Sequence, residues 1–282
     1  MDLGVTIFLT DHSIDPVTLA REVEERGYTS VWLPEHTHIP VSRRTPAPMG
    51  EPISEEYLRC LDPFVAMATM AAVTTRLRVG TGIALMAERD PIVTAKEVAT
   101  LDHLSGGRVS LGVGYGWNIE ELEDHGGTKA TRRAVVRERV LAMQSLWAEE
   151  EGSFDGSHVH LSPSWAWPKP VQTIRGRGAV PVLVGGSAGP KLFEHIAEFA
   201  DGWIPVGGAG VAAAMVDLRA AADRVGRDPA EIAVIPFGSH PNHGKLDHYA
   251  GLGITETVLR LPSAPRDEVL AVLDTFDPFL SH

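Results

Sequence analysis

The sequence predicts an α/β chain closed into a (β/α)8 barrel, and three observations predict it. Eight short apolar runs alternate with eight helical segments along 282 residues, the pattern of repeated βα units around a parallel sheet. The clearest runs, Leu77 to Ile83 and Arg108 to Gly114, do not alternate with polar residues, which suits strands covered on both faces. Glycines then crowd the carboxyl ends of both runs: Gly80 and Gly82, then Gly112, Gly114 and Gly116. Each glycine inside a strand costs about 0.5–1 kcal/mol relative to alanine. Their clustering therefore points to a place where backbone must be approached closely.

In order, Leu3 to Leu9 reads as the first strand, and Asp15-Pro16 and Gly27 bound the first helix. An acceptor at the N-cap followed by proline starts a helix, and glycine ends one. Ser30 to Leu33 is the second strand, ending in Pro34-Glu35-His36, and an irregular proline-rich loop leads to Asp62-Pro63 and an alanine-rich helix. Next come strand Leu77 to Ile83, a helix from Asp90-Pro91 to Gly106-Gly107, and strand Arg108 to Gly114. An acidic turn after Trp117 leads to a long helix, roughly Lys129 to Glu149. Residues 152–172 read as a small hairpin outside the barrel, because Pro163, Pro168 and Pro170 forbid a central strand. Val180 to Val184, Gly202 to Val206, Ile232 to Phe237 and Glu256 to Leu261 complete the strands. Helices at about Pro190 to Ala200, up to Val225, near Lys245 to Tyr249 and at Arg266 to Phe276 follow them in turn. No linker divides residues 1–282, so a single domain is expected.

The totals narrow the function. Hydrophobic residues make up 44% of the chain, enough for a sizeable core. A net charge of −12 argues against non-specific binding to nucleic acid or to anionic membranes. The single Cys60 forms no internal disulfide framework and fits a reducing cytosol. No apolar stretch approaches the roughly 18 residues of a membrane span, and the first residues lack the basic start of a signal peptide. A cytoplasmic enzyme with a small-molecule substrate is expected.

Active sites of such barrels sit at the carboxyl ends of the strands. There the chain offers Glu35, His36, Gly82, Ile83, Tyr115, Trp117, Gly185 to Ser187, Val206 and His240. This glycine-rich, weakly charged set suits a flat, mostly apolar ring better than a hydrolytic centre. Glu35-His36-Thr37-His38 contains an H-x-H that could start a metal site. A mononuclear site needs about three or four protein ligands, however, and the later strand ends supply none, so no metal is expected. Gly112-x-Gly114-x-Gly116 matches only half of a dinucleotide fingerprint, Trp117 replacing the third glycine of G-x-G-x-x-G. Gly185-Gly186-Ser187-Ala188-Gly189 fits G-x-S-x-G between strand and helix, with Asp201 and His240 following in triad order. The competing reading is a phosphate cradle of free N–H groups at a helix N-terminus, which the barrel pattern favours. Arg132, Arg133, Arg137 and Arg139 on the long helix read as a solvated face.

DPIVTAKEVATLDHLSGGRVSLGVGYGWNIEELEDHG resembles the signature of the luciferase-like monooxygenase superfamily, in its coenzyme F420-dependent branch. VWLPEH, LDPFVAMATMAAVTTRLRVGTGI, PKPVQ and VLVGGSAG followed by ADGWIPVG match in the same order. The resemblance runs from Leu3 to about Gly207. It implies a bacterial-luciferase-like barrel holding F420, or alternatively FMN, at the strand ends, and a homodimer. By resemblance, His36 and Glu35 lie beside ring and substrate as catalytic residues, His36 moving a proton and Glu35 orienting it or binding coenzyme. A non-proline cis peptide is implied at Gly82–Ile83 against the ring's face. Gly114, Tyr115, Gly116, Trp117 and Asn118 line its edge, Gly186, Ser187, Ala188 and Gly189 take the phosphate, and Val206 lies nearby. Sugar-phosphate dehydrogenase members carry a glutamate where this chain has Trp117. The expected activity is hydride transfer between deazaflavin and a small organic substrate. The alternatives are an FMN-dependent monooxygenase, a serine hydrolase using Ser187 and a non-catalytic coenzyme-binding barrel.

Overall fold

The structure, a computed structural model, describes residues 1–280. Its first half runs β1 (Asp2–Thr6), α1 (Pro16–Arg26), β2 (Ser30–Leu33), the short α2 (Glu55–Leu58), α3 (Pro63–Ala72), β3 (Arg78–Leu85), α4 (Pro91–Ser105), β4 (Val109–Gly114), α5 (Ile119–Asp124) and α6 (Arg132–Ala148). Two antiparallel hairpins follow, β5 (Gly152–Asp155) with β6 (His160–Ser164) and β7 (Thr173–Ile174) with β8 (Arg177–Gly178). The barrel resumes with β9 (Val182–Gly185), α7 (Pro190–Phe199), β10 (Gly202–Ile204), α8 (Val211–Arg224), β11 (Ala233–Val234), β12 (Phe237–Ser239), α9 (His243–Gly251), β13 (Glu256–Arg260) and α10 (Arg266–Phe276).

The main sheet is parallel throughout, in the order β11-β10-β9-β4-β3-β2-β1-β13-β12. Its two outer strands are halves of one barrel strand, broken at Pro236. The Ile235 N–H donates to Trp203 O and the Phe237 N–H to Pro205 O, each at 2.9 Å, while Pro236 O accepts from the Val258 N–H at 2.9 Å. Those bonds close the ring. Proline has no N–H to give a ladder, which is why the expected Ile232 to Phe237 strand splits into β11 and β12.

The expected helix starts are present as capping bonds. Asp15, Asp62 and Asp90 accept from the N–H groups of Thr18, Val65 and Val93 at 2.8–2.9 Å. Gly27 and Gly106 close α1 and α4 in the left-handed conformation. Three expectations need correction. The acidic turn after Trp117 is the helix α5. The region 152–178 holds two hairpins. Two arginines of α6 face inward, Arg132 donating to Gly116 O at 2.6 Å and Arg139 to Met86 O at 3.0 Å.

Apolar packing falls into two bodies. One lies between the strands and the outer helices. The other fills the barrel interior with Trp32, Leu183, Ile204, Ile235, Phe237 and Val258, and Ile83 packs against it. The Gly82–Ile83 peptide is cis, at the point where the β3–β4 register shifts.

The strand glycines are explained by this interior. An ideal Cβ on Gly114 would sit 2.3 Å from Ile83 Cδ1, and one on Gly185 2.7 Å from Ile83 Cγ2. On Gly112 it would strike the Thr81 carbonyl oxygen at 2.1 Å. The close approach inferred from the sequence is therefore made, at these positions, by the chain's own atoms. Gly112→Ala should lower stability by about 1–3 kcal/mol, the usual range for overpacking. Gly114→Ala should cost less, because the end of a side chain yields more readily than backbone. Denaturant midpoints of the two variants check that order.

Candidate active site

Loops from the carboxyl ends of β2, β3 and β4 meet in one cluster of buried ionisable groups. The loop after β2 supplies Glu35, His36 and Thr37, the turn after β3 supplies Glu88 and Arg89, and α5 supplies Glu121. Glu121 uses both carboxylate oxygens. Oε2 lies 2.8 Å from His36 Nδ1, and Oε1 accepts from the Thr37 N–H at 3.0 Å. The Trp117 indole N–H, which can only donate, meets His36 Nε2 at 3.2 Å. Nε2 must then present its lone pair, so the neutral ring carries its proton on Nδ1 and donates it to Glu121. Tyr57 packs beside this pair, its ring centroid 5.3 Å from His36 and 5.9 Å from Trp117.

Glu35 lies close by but faces elsewhere. Its Oε2 accepts from the Leu85 N–H at 2.6 Å, and its Oε1 lies 3.2 Å from Arg89 Nε. Burial pushes its carboxyl above the usual range, against the pull of Arg89. The structure thus gives Glu121 the hydrogen bond to His36 that the sequence reading offered to Glu35.

The turn after β4 is held from outside. The Tyr115 hydroxyl lies 2.8 Å from His195 Nδ1, the Arg133 guanidinium stacks 4.6 Å from its ring centre, and burial pushes the phenol up to about 12. Gly116 takes φ 73°, a left-handed value that suits glycine. Asn118 precedes α5 and is 1% exposed, yet neither its Oδ1 nor its Nδ2 has a hydrogen-bond partner among the described residues. Such an orphaned amide costs stability unless something binds it.

The end of β9 lies at the same face of the parallel sheet. Gly186 O accepts from the Trp203 indole at 2.9 Å, which anchors the turn, while Ser187 and Ala188 are exposed ahead of α7. The N–H groups of Ser187, Ala188 and Gly189 find no backbone acceptor among the described residues. Val206 stands 80% exposed beyond β10. A nucleophilic triad is not assembled here. Asp201 bonds the Val182 N–H and Arg175, each at 2.9 Å, and the His240 ring packs against Phe276.

His36 and His38 do not converge, since His38 Nε2 pairs with Asp124 Oδ2 at 3.0 Å. Clefts elsewhere lie between the outer helices. In the one lined by Gln144, Glu198 and Asp201, the two acids are tied to Arg137 and Arg175.

The sequence reading missed Glu121, Glu88, Tyr57 and Arg89. A signal existed for the first: taken as a helix, Asn118, Glu121, Leu122 and His125 share one face by their i, i+3, i+4, i+7 spacing.

With this geometry in place, relatives can be placed beside it. Residues 14–240 match the family model for luciferase-like monooxygenases, and the chain belongs to that family. An uncharacterized protein of Mycobacterium tuberculosis is 42% identical over 97% of this chain and 96% of its own length. An F420-dependent glucose-6-phosphate dehydrogenase of Kineococcus radiotolerans is 28% identical, over 68% of this chain and 52% of its own. A solved monooxygenase from Streptomyces bottropensis superposes with a TM-score of 0.77 at 20% identity, covering 99% and 98% of the two chains. The family supports an oxidoreductase or monooxygenase. Among the described residues, no helix is long and apolar enough to cross a membrane.

Because Asp201 is already committed to Val182 and Arg175, a fluorophosphonate probe should leave Ser187 unlabelled. Stoichiometric labelling at Ser187, read by peptide mass spectrometry, would restore the hydrolase reading.

Proposed function

We propose that this chain is a coenzyme F420-dependent oxidoreductase moving a hydride between the deazaflavin and a small organic substrate. One observation carries the reading: His36 Nδ1 lies 2.8 Å from Glu121 Oε2 and Nε2 accepts from the Trp117 indole at 3.2 Å, which leaves a neutral ring protonated on Nδ1. Nε2 can exchange that indole for a substrate hydroxyl. A hydride leaving the carbon of an alcohol requires the hydroxyl proton to leave too, and a neutral imidazole takes it within the ordinary range of general-base catalysis. Glu121 then stabilises the imidazolium formed.

The residues present fit a phosphate-bearing flavin or deazaflavin. Three N–H groups at Ser187, Ala188 and Gly189 precede a helix N-terminus, an arrangement that attracts phosphate. The orphaned Asn118 amide can satisfy polar edges of a ring, and Val206 offers an apolar contact. When bound, the coenzyme supplies the hydride acceptor or donor. The protein binds it, orients the substrate at His36 Nε2 and holds the proton. The sequence relative from Kineococcus supports F420, whereas the family's description as luciferase-like monooxygenases supports oxygen chemistry, for which FMN is the alternative cofactor. A homodimer is part of the same proposal, on family resemblance.

Fluorescence titration of the apoprotein with F420 and, separately, with FMN tests this reading. Tight F420 binding with weak FMN binding is expected. The reverse would move the protein to oxygen chemistry, and binding of neither would reject the proposal. Gly189→Asp places a carboxylate at the phosphate cradle, where a Cβ meets nothing within 4 Å. It should weaken coenzyme binding about tenfold or more, which is about 1.4 kcal/mol. His36→Ala should lower turnover roughly 10²–10⁴-fold with coenzyme affinity little changed. Unaltered turnover would remove His36 from the mechanism.

A further inference from the structure

The turn between β3 and α4 hides a carboxyl that this reaction scheme does not use. The Glu88 side chain is 1% exposed, and neither of its oxygens makes a hydrogen bond among the described residues. It lies beneath the turn after β4, where an ideal Cβ on Gly116 would stand 3.2 Å from Glu88 Oε1. His125, just past α5, brings Nε2 to 4.0 Å from Oε2. The other charged groups acting on it are Glu121 of α5, Glu35 of the β2 loop and Arg139 of α6. The two carboxylates repel an anion at Glu88, and Arg139 only partly offsets them. Burial, then Glu121 and Glu35, push the Glu88 carboxyl up to about 8. A carboxylate with no donor among the described residues, buried in an already negative cluster, is costly, and the protonated acid is the favoured form.

A row of polar groups runs from beside this acid to the surface, its first step being the 4.0 Å separation of Glu88 and His125, which is longer than a hydrogen bond. The His125 side chain is 30% exposed, and its Nε2 also lies 2.9 Å from Thr37 Oγ1. Thr37 Oγ1 is in turn 3.0 Å from His38 Nδ1, and His38 Nε2 meets Asp124 at the surface. A hydroxyl between two ring nitrogens has one proton to give, so one nitrogen is bare and the other protonated. That arrangement can pass a proton along the row. The Thr37 N–H bonds Glu121, so one residue tethers both the outer histidines and the inner pair.

We propose that Glu88 is a proton-holding positioning residue of this site, exchanging its proton with solvent through His125 and setting by its ionisation the charge around the Glu121–His36 pair. The proposal rests on reading this face as the reaction site. When His36 takes a substrate proton and becomes a cation, release of the Glu88 proton to solvent by way of His125 restores the charge of the cluster. No electrons move in that step, and the proton lost by Glu88 is gained by water.

Glu88→Gln preserves size and removes the ionisation, and the coenzyme-free protein suffices for the test. A carboxyl whose pKa is raised by folding stabilises the fold while it stays protonated, and that stability is lost as pH rises through the folded value. Wild type should therefore lose stability relative to E88Q between pH 4.5 and about 8, in denaturant unfolding measured across that range. Infrared spectra should show a protonated-carboxyl band in wild type that titrates with a midpoint near 8 and is missing from E88Q. Arg139→Gln removes the attracting cation and should move that midpoint upward by about a pH unit. It keeps the test alive should E88Q fail to fold. A stability difference that is flat with pH, persistence in E88Q of the band that titrates near 8, or an unmoved midpoint in R139Q would each overturn the proposal. None of these readouts involves coenzyme, so they fail or succeed independently of the F420 titration.

Discussion

The two bonds made by the buried Glu121 carboxylate are the constraint on which the site depends. One oxygen fixes the Nδ1 proton of His36 and the other holds the Thr37 backbone beside it. These bonds tie the loop after β2 to the helix after β4, across the intervening strand β3. Removing the His36 ring would leave a buried carboxylate oxygen without its donor, which is costly because that oxygen cannot recover its water. The same bonds leave Nε2 as an acceptor. A scaffold function and a chemical function therefore rest on one carboxylate.

The barrel supplies the rigid platform for that arrangement. Ile83 packs against the interior cluster, and Gly114 and Gly185 make room for it by lacking side chains. Above it, Arg132 and Arg139 reach in from α6 to backbone carbonyls of the turns after β4 and β3. The loops of the candidate site are thus braced from the helical layer as well as from the strands. Such bracing matters for any reaction that depends on reacting groups being held at close, oriented approach.

The barrel itself was legible because parallel strands and capped helices leave strong local signals. Unbroken apolar runs, Asp-Pro starts and glycine stops each have a short-range cause, and the aspartates and glycines named from sequence are the caps observed. The broken seventh strand shows where local reading fails. Pro236 lies within an apolar run, and only the ladder bonds on both sides show that the run serves two neighbours in turn. The site was legible in part. His36 and the Gly185 to Ser187 turn follow from position at strand ends and Asn118 from the family resemblance, but the partner of His36 lies 85 residues away in sequence, on a helix read as a turn. Glu88 gives no sequence signal at all, because its character comes from the company of Glu35, Glu121, Arg139 and His125 after folding. Arg132 and Arg139 of α6 were misread for the same reason: alternating charges on a helix look solvated until a neighbouring loop descends onto them.

The tautomer of His36 tests the central claim most directly. Nitrogen-15 NMR of the histidine ring in the coenzyme-free protein distinguishes a protonated Nδ1 from a protonated Nε2, with a His36→Gln variant assigning the resonance. The account predicts the Nδ1-protonated neutral ring, its proton donated to Glu121 and its Nε2 bare. A ring protonated on Nε2 would contradict it, since neither the Trp117 bond nor proton acceptance from substrate would then be available.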